Sequence, residues 1–258
     1  MSTLALGPTL LFLLCVALAT AAQNLTGFAF ALILVGLAGV FNLASLPDAV
    51  NVAGALSLAS ALVALRGSRT SVDWPALRDT ALGSVVGVAI GVLLLGWLSN
   101  NVITVLRVLL GLTVIACAIV VYLRAEPLPM RSPRRVFAGY GVASGVLGGL
   151  FSAAGPPLVY HFFRQPLPLA AVRQTLVATL ALGSALRLAM VIPAGGFSAR
   201  ALQLVVLAAP LVLLLSWLIR RYPPGWPPAV IQKLVSALLL LTGVGLIAPV
   251  LAAWVARG

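Results

Sequence analysis

Apolar runs separated by short polar gaps make up most of the chain. They occupy residues 4–22, 28–46, 49–65, 79–98, 102–123, 136–154, 170–192, 201–219 and 229–254. Most have 17 to 26 residues, enough at about 1.5 Å per residue to cross a hydrocarbon core of about 30 Å. The piece 156–163 is too short, because eight residues of helix reach only about 12 Å. It is expected as a half-helix, a re-entrant element or the bent continuation of the helix before it. The gaps are tight at Leu46-Pro47-Asp48 and Ser99-Asn100-Asn101, and longer and basic at 66–78 and 124–135. Trp74, Trp97, Trp217, Trp226 and Trp254 stand at or near run ends, where an amphipathic indole favours the headgroup level. The pattern predicts an all-α polytopic membrane protein.

An internal repeat refines that expectation. Leu-Pro-Asp-Ala-Val-Asn at 46–51 matches Leu-Pro-Leu-Ala-Ala-Val-Arg at 167–173 with one insertion. Leu93-Leu94-Leu95-Gly96-Trp97-Leu98 likewise matches Leu213-Leu214-Leu215-Ser216-Trp217-Leu218, and Arg107 opens a membrane run as Lys233 does. These offsets divide the chain into two related halves, 1–125 and 126–258. Each half is expected to hold a broken or re-entrant helical hairpin followed by three membrane helices. Gly155-Pro156-Pro157 then pairs with Gln23-Asn24-Leu25-Thr26-Gly27-Phe28, so both halves carry a polar interruption in the same place.

Charge tests the orientation of the halves. Arg66, Arg69 and Arg78 in one connector and Arg124, Arg131, Arg134 and Arg135 in another are separated by two membrane runs, so they share a side, which the positive-inside rule makes cytoplasmic. If 136–166 enters and returns as a hairpin, Arg164, Arg220 and Arg221 join them and only Arg200 and Arg257 fall outside. If that segment crosses once, Arg220 and Arg221 fall outside. The hairpin satisfies the rule better and makes the halves inverted repeats, an arrangement common among secondary transporters.

Composition narrows the class. The chain is 62% hydrophobic and 8% charged, outside the soluble range and without room for a sizeable soluble domain. Sixteen basic residues against four acidic ones would in a soluble chain suggest nucleic acid. Here the basic residues fall mostly in short gaps between apolar runs, so the partner is the lipid bilayer and not nucleic acid. Cys15 and Cys117 lie inside apolar runs and read as small buried hydrophobes. Ala19-Thr20-Ala21 resembles a signal-peptidase site, but no positive n-region precedes it and Leu14 before Cys15 spoils a lipobox. An uncleaved first membrane segment is expected.

The candidate chemistry gathers on residues 141–173. Gly141, Gly145, Gly148 and Ser152 recur at helical spacing before the break at Gly155-Pro156-Pro157. Glycines four apart serve plain helix packing equally well; the prolines add more, because they cannot donate backbone hydrogen bonds and the freed carbonyls need partners at membrane depth. A helix restarting there points its positive dipole end at the break, which suits an anion. Gln23, Asn24, Thr26 and Gly27 give the first half comparable donors, and two facing breaks would make one polar pocket.

Arg173 and Arg187 lie fourteen residues apart, about 40° from one helix face, with Ser184 on that face. Either arginine would hold an oxyanion with bidentate geometry if it faces a cavity, and either also fits a snorkelling role. His161 beside Tyr160, Phe162 and Phe163 suits a proton carrier or an anion donor, but a lone histidine among aromatics is more often a packing residue. An intramembrane hydrolase is disfavoured because no Gly-x-Ser-x-Gly surrounds Ser152. No HExxH motif or Cys/His cluster is present for a metal. A non-transporting membrane scaffold is the other alternative.

At these residues the chain resembles the sulfite exporter TauE/SafE family of anion permeases. The resemblance rests on the duplicated pattern, on Gln23-x-x-Thr26-Gly27-Phe28, on Gly145-x-x-Gly148-Gly149-x-x-Ser152-x-x-Gly155-Pro156-Pro157, and on Val172-Arg173-Gln174-Thr175-Leu176. Ala29-Phe30 stands where the family's first motif usually continues in glycine, and Ser152-Ala153-Ala154 where glycines are frequent. The resemblance implies a multi-pass carrier of the bacterial inner membrane for sulfite, sulfoacetate or other organosulfonates. Its small anionic substrate would be coordinated by the two breaks, neutralised by Arg173 and exchanged between sides by rocking of the halves. No cofactor is expected, a homo-oligomer is left open, and proton coupling is compatible but not required.

Overall fold

A computed structural model describes residues 6–66, 72–101, 103–122 and 128–255. Arg69, Arg124, Glu126 and Arg257 lie outside the described residues. Ten helices are described: α1 (Leu6–Thr26), α2 (Phe30–Val40), α3 (Leu46–Leu65), α4 (Trp74–Asn101), α5 (Ile103–Tyr122), α6 (Arg134–Phe151), α7 (Gly155–Phe163), α8 (Leu169–Val191), α9 (Ala199–Arg221) and α10 (Pro228–Val255). Among the described residues, α1, α3, α4, α5, α8, α9 and α10 are long and apolar enough to cross a membrane. The protein is an all-helical, multi-pass membrane protein. Its element order runs long, short, then three long helices, twice over.

The run 28–46 departs from expectation. It is not a spanning helix: α2 has 11 residues, about 16 Å of rise. Asn42 adopts a left-handed conformation with φ 50°, which ends the helix. The expected gap at Leu46-Pro47-Asp48 belongs instead to the first turn of α3, where the Ser45 hydroxyl accepts from the Asp48 N–H and Pro47 costs no intrahelical bond. Ser99-Asn100-Asn101 likewise continues α4.

Both short helices return toward the end from which the preceding helix came. For α6 and α7 the chain ends meet: the Ser132 N–H donates to Gln165 Oε1 at 3.0 Å and the Leu128 N–H to the Arg164 carbonyl at 2.7 Å. For α1 and α2 the turning point touches the far part of α9 through Asn24 and Ser216 at 3.1 Å. The α2 end meets the start of α9 through Arg200 Nη2 and the Leu43 carbonyl at 3.4 Å. The two hairpins therefore open toward opposite ends of the bundle.

Helix contacts come in matching pairs. α4 packs on α6 as α9 packs on α1, α3 packs on α9 as α8 packs on α4, and the pairs α3·α8 and α5·α10 close the middle. The α4·α6 seam is built from glycine. A Cβ added at Gly145 would lie 2.7 Å from the Ser84 carbonyl and 2.9 Å from Gly87 Cα, so only hydrogen at both positions lets the backbones meet. The α1·α3·α9 seam uses side-chain polarity instead, with Ser60 Oγ 3.0 Å from Ser216 Oγ. Cys15 and Cys117 are buried free thiols in α1 and α5.

Candidate functional site

The breaks between α1 and α2 and between α6 and α7 meet in the interior. Gly27 (φ 89°) and Ala29 (φ 76°) form the first, and Ser152 (φ 54°) opens the second. Positive φ turns the chain within three residues, and only Gly27 tolerates it without strain. A Cβ added at Gly155 would lie 3.4 Å from the Phe28 ring, so the second break rests on the first. Gln23, Ser57, Ser152, Gly155 and Ser184 share with Phe28 to Leu32 a cavity of about 20 Å³, room for about one water.

Dipoles converge on this cavity. α2 begins at Phe30 after Ala29, and no side chain caps it. The first N–H groups of a helix lack intrahelical partners, so Phe30, Ala31 and Leu32, all buried, present three donors and the positive end of a dipole to the cavity. α7 begins at Gly155, also uncapped by a side chain, but Pro156 and Pro157 remove two of its donors. The α2 terminus is thus the richer anion seat. At the second break Ser144 Oγ donates to the Ala154 carbonyl at 2.6 Å.

A larger cavity, about 340 Å³, lies next to the first break and shares Phe28 with the small one. Arg173 of α8, Thr26, Tyr160 and Gln232 supply its polar lining. The Arg173 backbone abuts Gly27, with its carbonyl 3.7 Å from a Cβ built there. Among the described residues the buried Arg173 Nε has no hydrogen-bond partner, an unusual state for a guanidinium.

The remaining sequence candidates divide by the direction in which each side chain points. Gln23 faces the small cavity, where its Oε1 accepts from Ser57 Oγ at 3.2 Å. Thr26 bridges the first break, donating to the Ala22 carbonyl at 2.6 Å. Ser152 donates to the Val50 carbonyl at 2.9 Å. Asn24 turns away from both cavities, toward Ser60 and Ser216. His161 stacks on Tyr140 with ring centroids 4.3 Å apart and meets Phe137 edge-on at 4.6 Å, outside the lining of either cavity. No hydrogen bond joins it to Ser152 among the described residues.

Arg187 does not snorkel. It is 1% exposed, and its Nε donates to the Gly149 carbonyl at 3.1 Å while Nη1 donates to Asn51 Oδ1 at 2.9 Å. Fourteen residues of helix separate it from Arg173 by about 21 Å, so one small anion does not touch both. Ser57 and Gln232 escaped the sequence reading, although each is a polar residue inside an apolar run. Phe28 entered that reading as the last residue of the first break's motif, not as a lining residue.

Comparison with known proteins bears on this geometry. The family model described as sulfite exporter TauE/SafE matches residues 12–246. A Cupriavidus necator protein named "Probable sulfite/organosulfonate exporter TauE" is 32% identical over 233 residues, covering 90% of this chain and 91% of that protein. No solved structure matches.

Proposed function

We infer, because this chain belongs to the sulfite exporter TauE/SafE family, that it is a secondary carrier of small sulfur-containing oxyanions, with the facing breaks and Arg173 as its substrate path. The observation that carries this reading is the buried, uncapped start of α2 beside a cavity lined by an arginine with an unpartnered Nε. A sulfite or sulfonate headgroup entering the larger cavity meets Arg173 first. Passing Phe28, it exchanges water for the Phe30, Ala31 and Leu32 N–H groups.

The central cavity holds about one water, so occupancy by such a headgroup requires its walls to part. Residues 1–125 and 126–258 act as inverted repeats in this reading, and their rocking supplies that movement. The oppositely opening hairpins and the paired helix contacts support it. With the cell interior negative, export of an anion is downhill by about 2.3 kcal/mol per charge per 100 mV. Proton coupling is therefore not required, and the protein works as a carrier rather than as an enzyme.

Flux of radiolabelled sulfite and sulfoacetate from proteoliposomes tests the assignment. Arg173→Gln is expected to lower flux at least tenfold while the protein remains folded and monodisperse. Unchanged flux in that variant removes Arg173 from the path, and no flux in the wild type removes the carrier reading.

A further inference from the structure

The larger cavity is oversized for the smallest substrate the family name implies. At about 340 Å³ it reaches the range of pockets that enclose drug-sized ligands. Its chemistry is divided. Arg173 offers a buried Nε with no partner among the described residues and Gln232 turns its amide to the Val121 carbonyl, whereas Leu25, Val120, Val121, Val159, Phe163 and Ile231 line the rest of the cavity with apolar side chains. A bare sulfite has no carbon to place against that lining and would lose hydration there without compensation. An anion joined to a hydrocarbon body satisfies both parts at once.

We propose that the 340 Å³ cavity is a selectivity site for amphiphilic sulfonates, with the sulfonate on Arg173 and a hydrocarbon body of about four to eight carbons against the wall formed by α5, α7 and α10. The proposal rests on the carrier reading above and adds which members of that substrate class bind best. Full burial of one methylene strengthens binding about fourfold, and partial burial about twofold. Affinity therefore climbs with chain length until the cavity is filled. Sulfite, lacking the body, is the weakest ligand.

The test uses the full-length protein in phosphatidylcholine nanodiscs, titrated calorimetrically with sulfite and with ethane-, butane-, hexane- and octanesulfonate. Empty nanodiscs measure partition into lipid. Dissociation constants are expected to fall two- to fourfold per methylene through hexanesulfonate, beyond the empty-disc background. Val159→Asn and Ile231→Asn, on different helices, are each expected to flatten that gradient. Arg173→Gln should weaken every sulfonate at least tenfold and leave the gradient in place.

Equal affinity for sulfite and hexanesulfonate overturns the proposal, as does a gradient identical in wild type, both wall variants and empty discs. A gradient that disappears in phosphatidylglycerol nanodiscs assigns the cavity to lipid headgroups and also overturns it. Proteoliposome flux separates the two readings. Sulfite flux without a chain-length gradient leaves the carrier and removes the selectivity site. A cavity-dependent gradient without flux of any anion keeps the site and removes the carrier.

Discussion

At the residue scale the two intramembrane arginines of α8 do different work, and the difference is one of partners. Arg187 gives its protons to a carbonyl and an amide of neighbouring helices, so its loss strands two buried acceptors at about 1–3 kcal/mol each. Arg187→Met is expected to lower the apparent unfolding temperature by about 5–10 °C and to leave the KM for sulfite unchanged in the folded fraction. Normal stability with a raised KM would show that Arg187 meets substrate. Arg173, with its free Nε, is expected to show the reverse pattern. Ala29 makes a second residue-scale case. Its φ of 76° is a left-handed conformation that costs an L-residue about 1–2 kcal/mol. In thermal denaturation Ala29→Gly should match or exceed the wild type, and Ala29→Val should fall about 2 kcal/mol below Ala29→Gly because a β-branched residue tolerates that region least. Equal stability of the two variants would mean that the turn relaxes to accept them.

At the element scale, legibility followed backbone chemistry. The α6–α7 break was readable because Pro156 and Pro157 after Gly155 cannot donate to the preceding turn and suit the first turn of a new helix. The α1–α2 break was found only through its match to the second half. The end of α2 was missed because Phe41 and Leu43 keep the run apolar after the helix has stopped, and hydropathy does not register φ at Asn42. Side-chain direction was the other hidden quantity. Asn24, His161 and Arg187 were read as candidate ligands, but a sequence of helices does not say which neighbour each one faces. The glycine seam shows the same limit from the other side, since spacing alone did not distinguish packing from site. The structure gives Gly145 a packing role, with α4 backbone on it, while Gly139 on the same helix has nothing within 4 Å. Gly145→Leu is therefore expected to abolish the folded, monodisperse protein or to cost it more than about 3 kcal/mol. Gly139→Leu should leave size-exclusion profile and melting temperature unchanged. Equal tolerance of both substitutions would refute the seam.

At the scale of the whole molecule, the bundle has a basic end and a closed end. Arg131 pairs with Asp73 at 2.8 Å, Arg220 Nη1 donates to the Val63 carbonyl at 2.7 Å, and Arg164 lies beside Leu128. These contacts gather the arginines of three connections at one end, which the positive-inside rule makes cytoplasmic. The large cavity lies toward this end, between the last turns of α5 and α7 and the first turns of α8 and α10. At the other end Ser198 Oγ donates to Asp48 Oδ1 at 2.6 Å and Asn51 Nδ2 to the Gly196 carbonyl at 2.8 Å, tying the first turns of α3 to the α8–α9 turn. If the halves rock, this tie must open when the cavity closes. In a Cys15→Ala, Cys117→Ala background, Leu25→Cys reports on the cavity, because Leu25 lines it next to the first break. A membrane-impermeant methanethiosulfonate should modify it in inside-out vesicles and at least tenfold more slowly in right-side-out ones. Ser198→Gly removes the bond to Asp48 while keeping a residue that caps α9 almost as well. Loss of one such half-exposed bond, about 1 kcal/mol, shifts a two-state equilibrium about fivefold. Modification from outside should rise by about that factor and modification from inside should slow. A thiol that reacts equally from both sides before the tie is cut would show an open pore, and one whose rates ignore the tie would show that the closed end does not move.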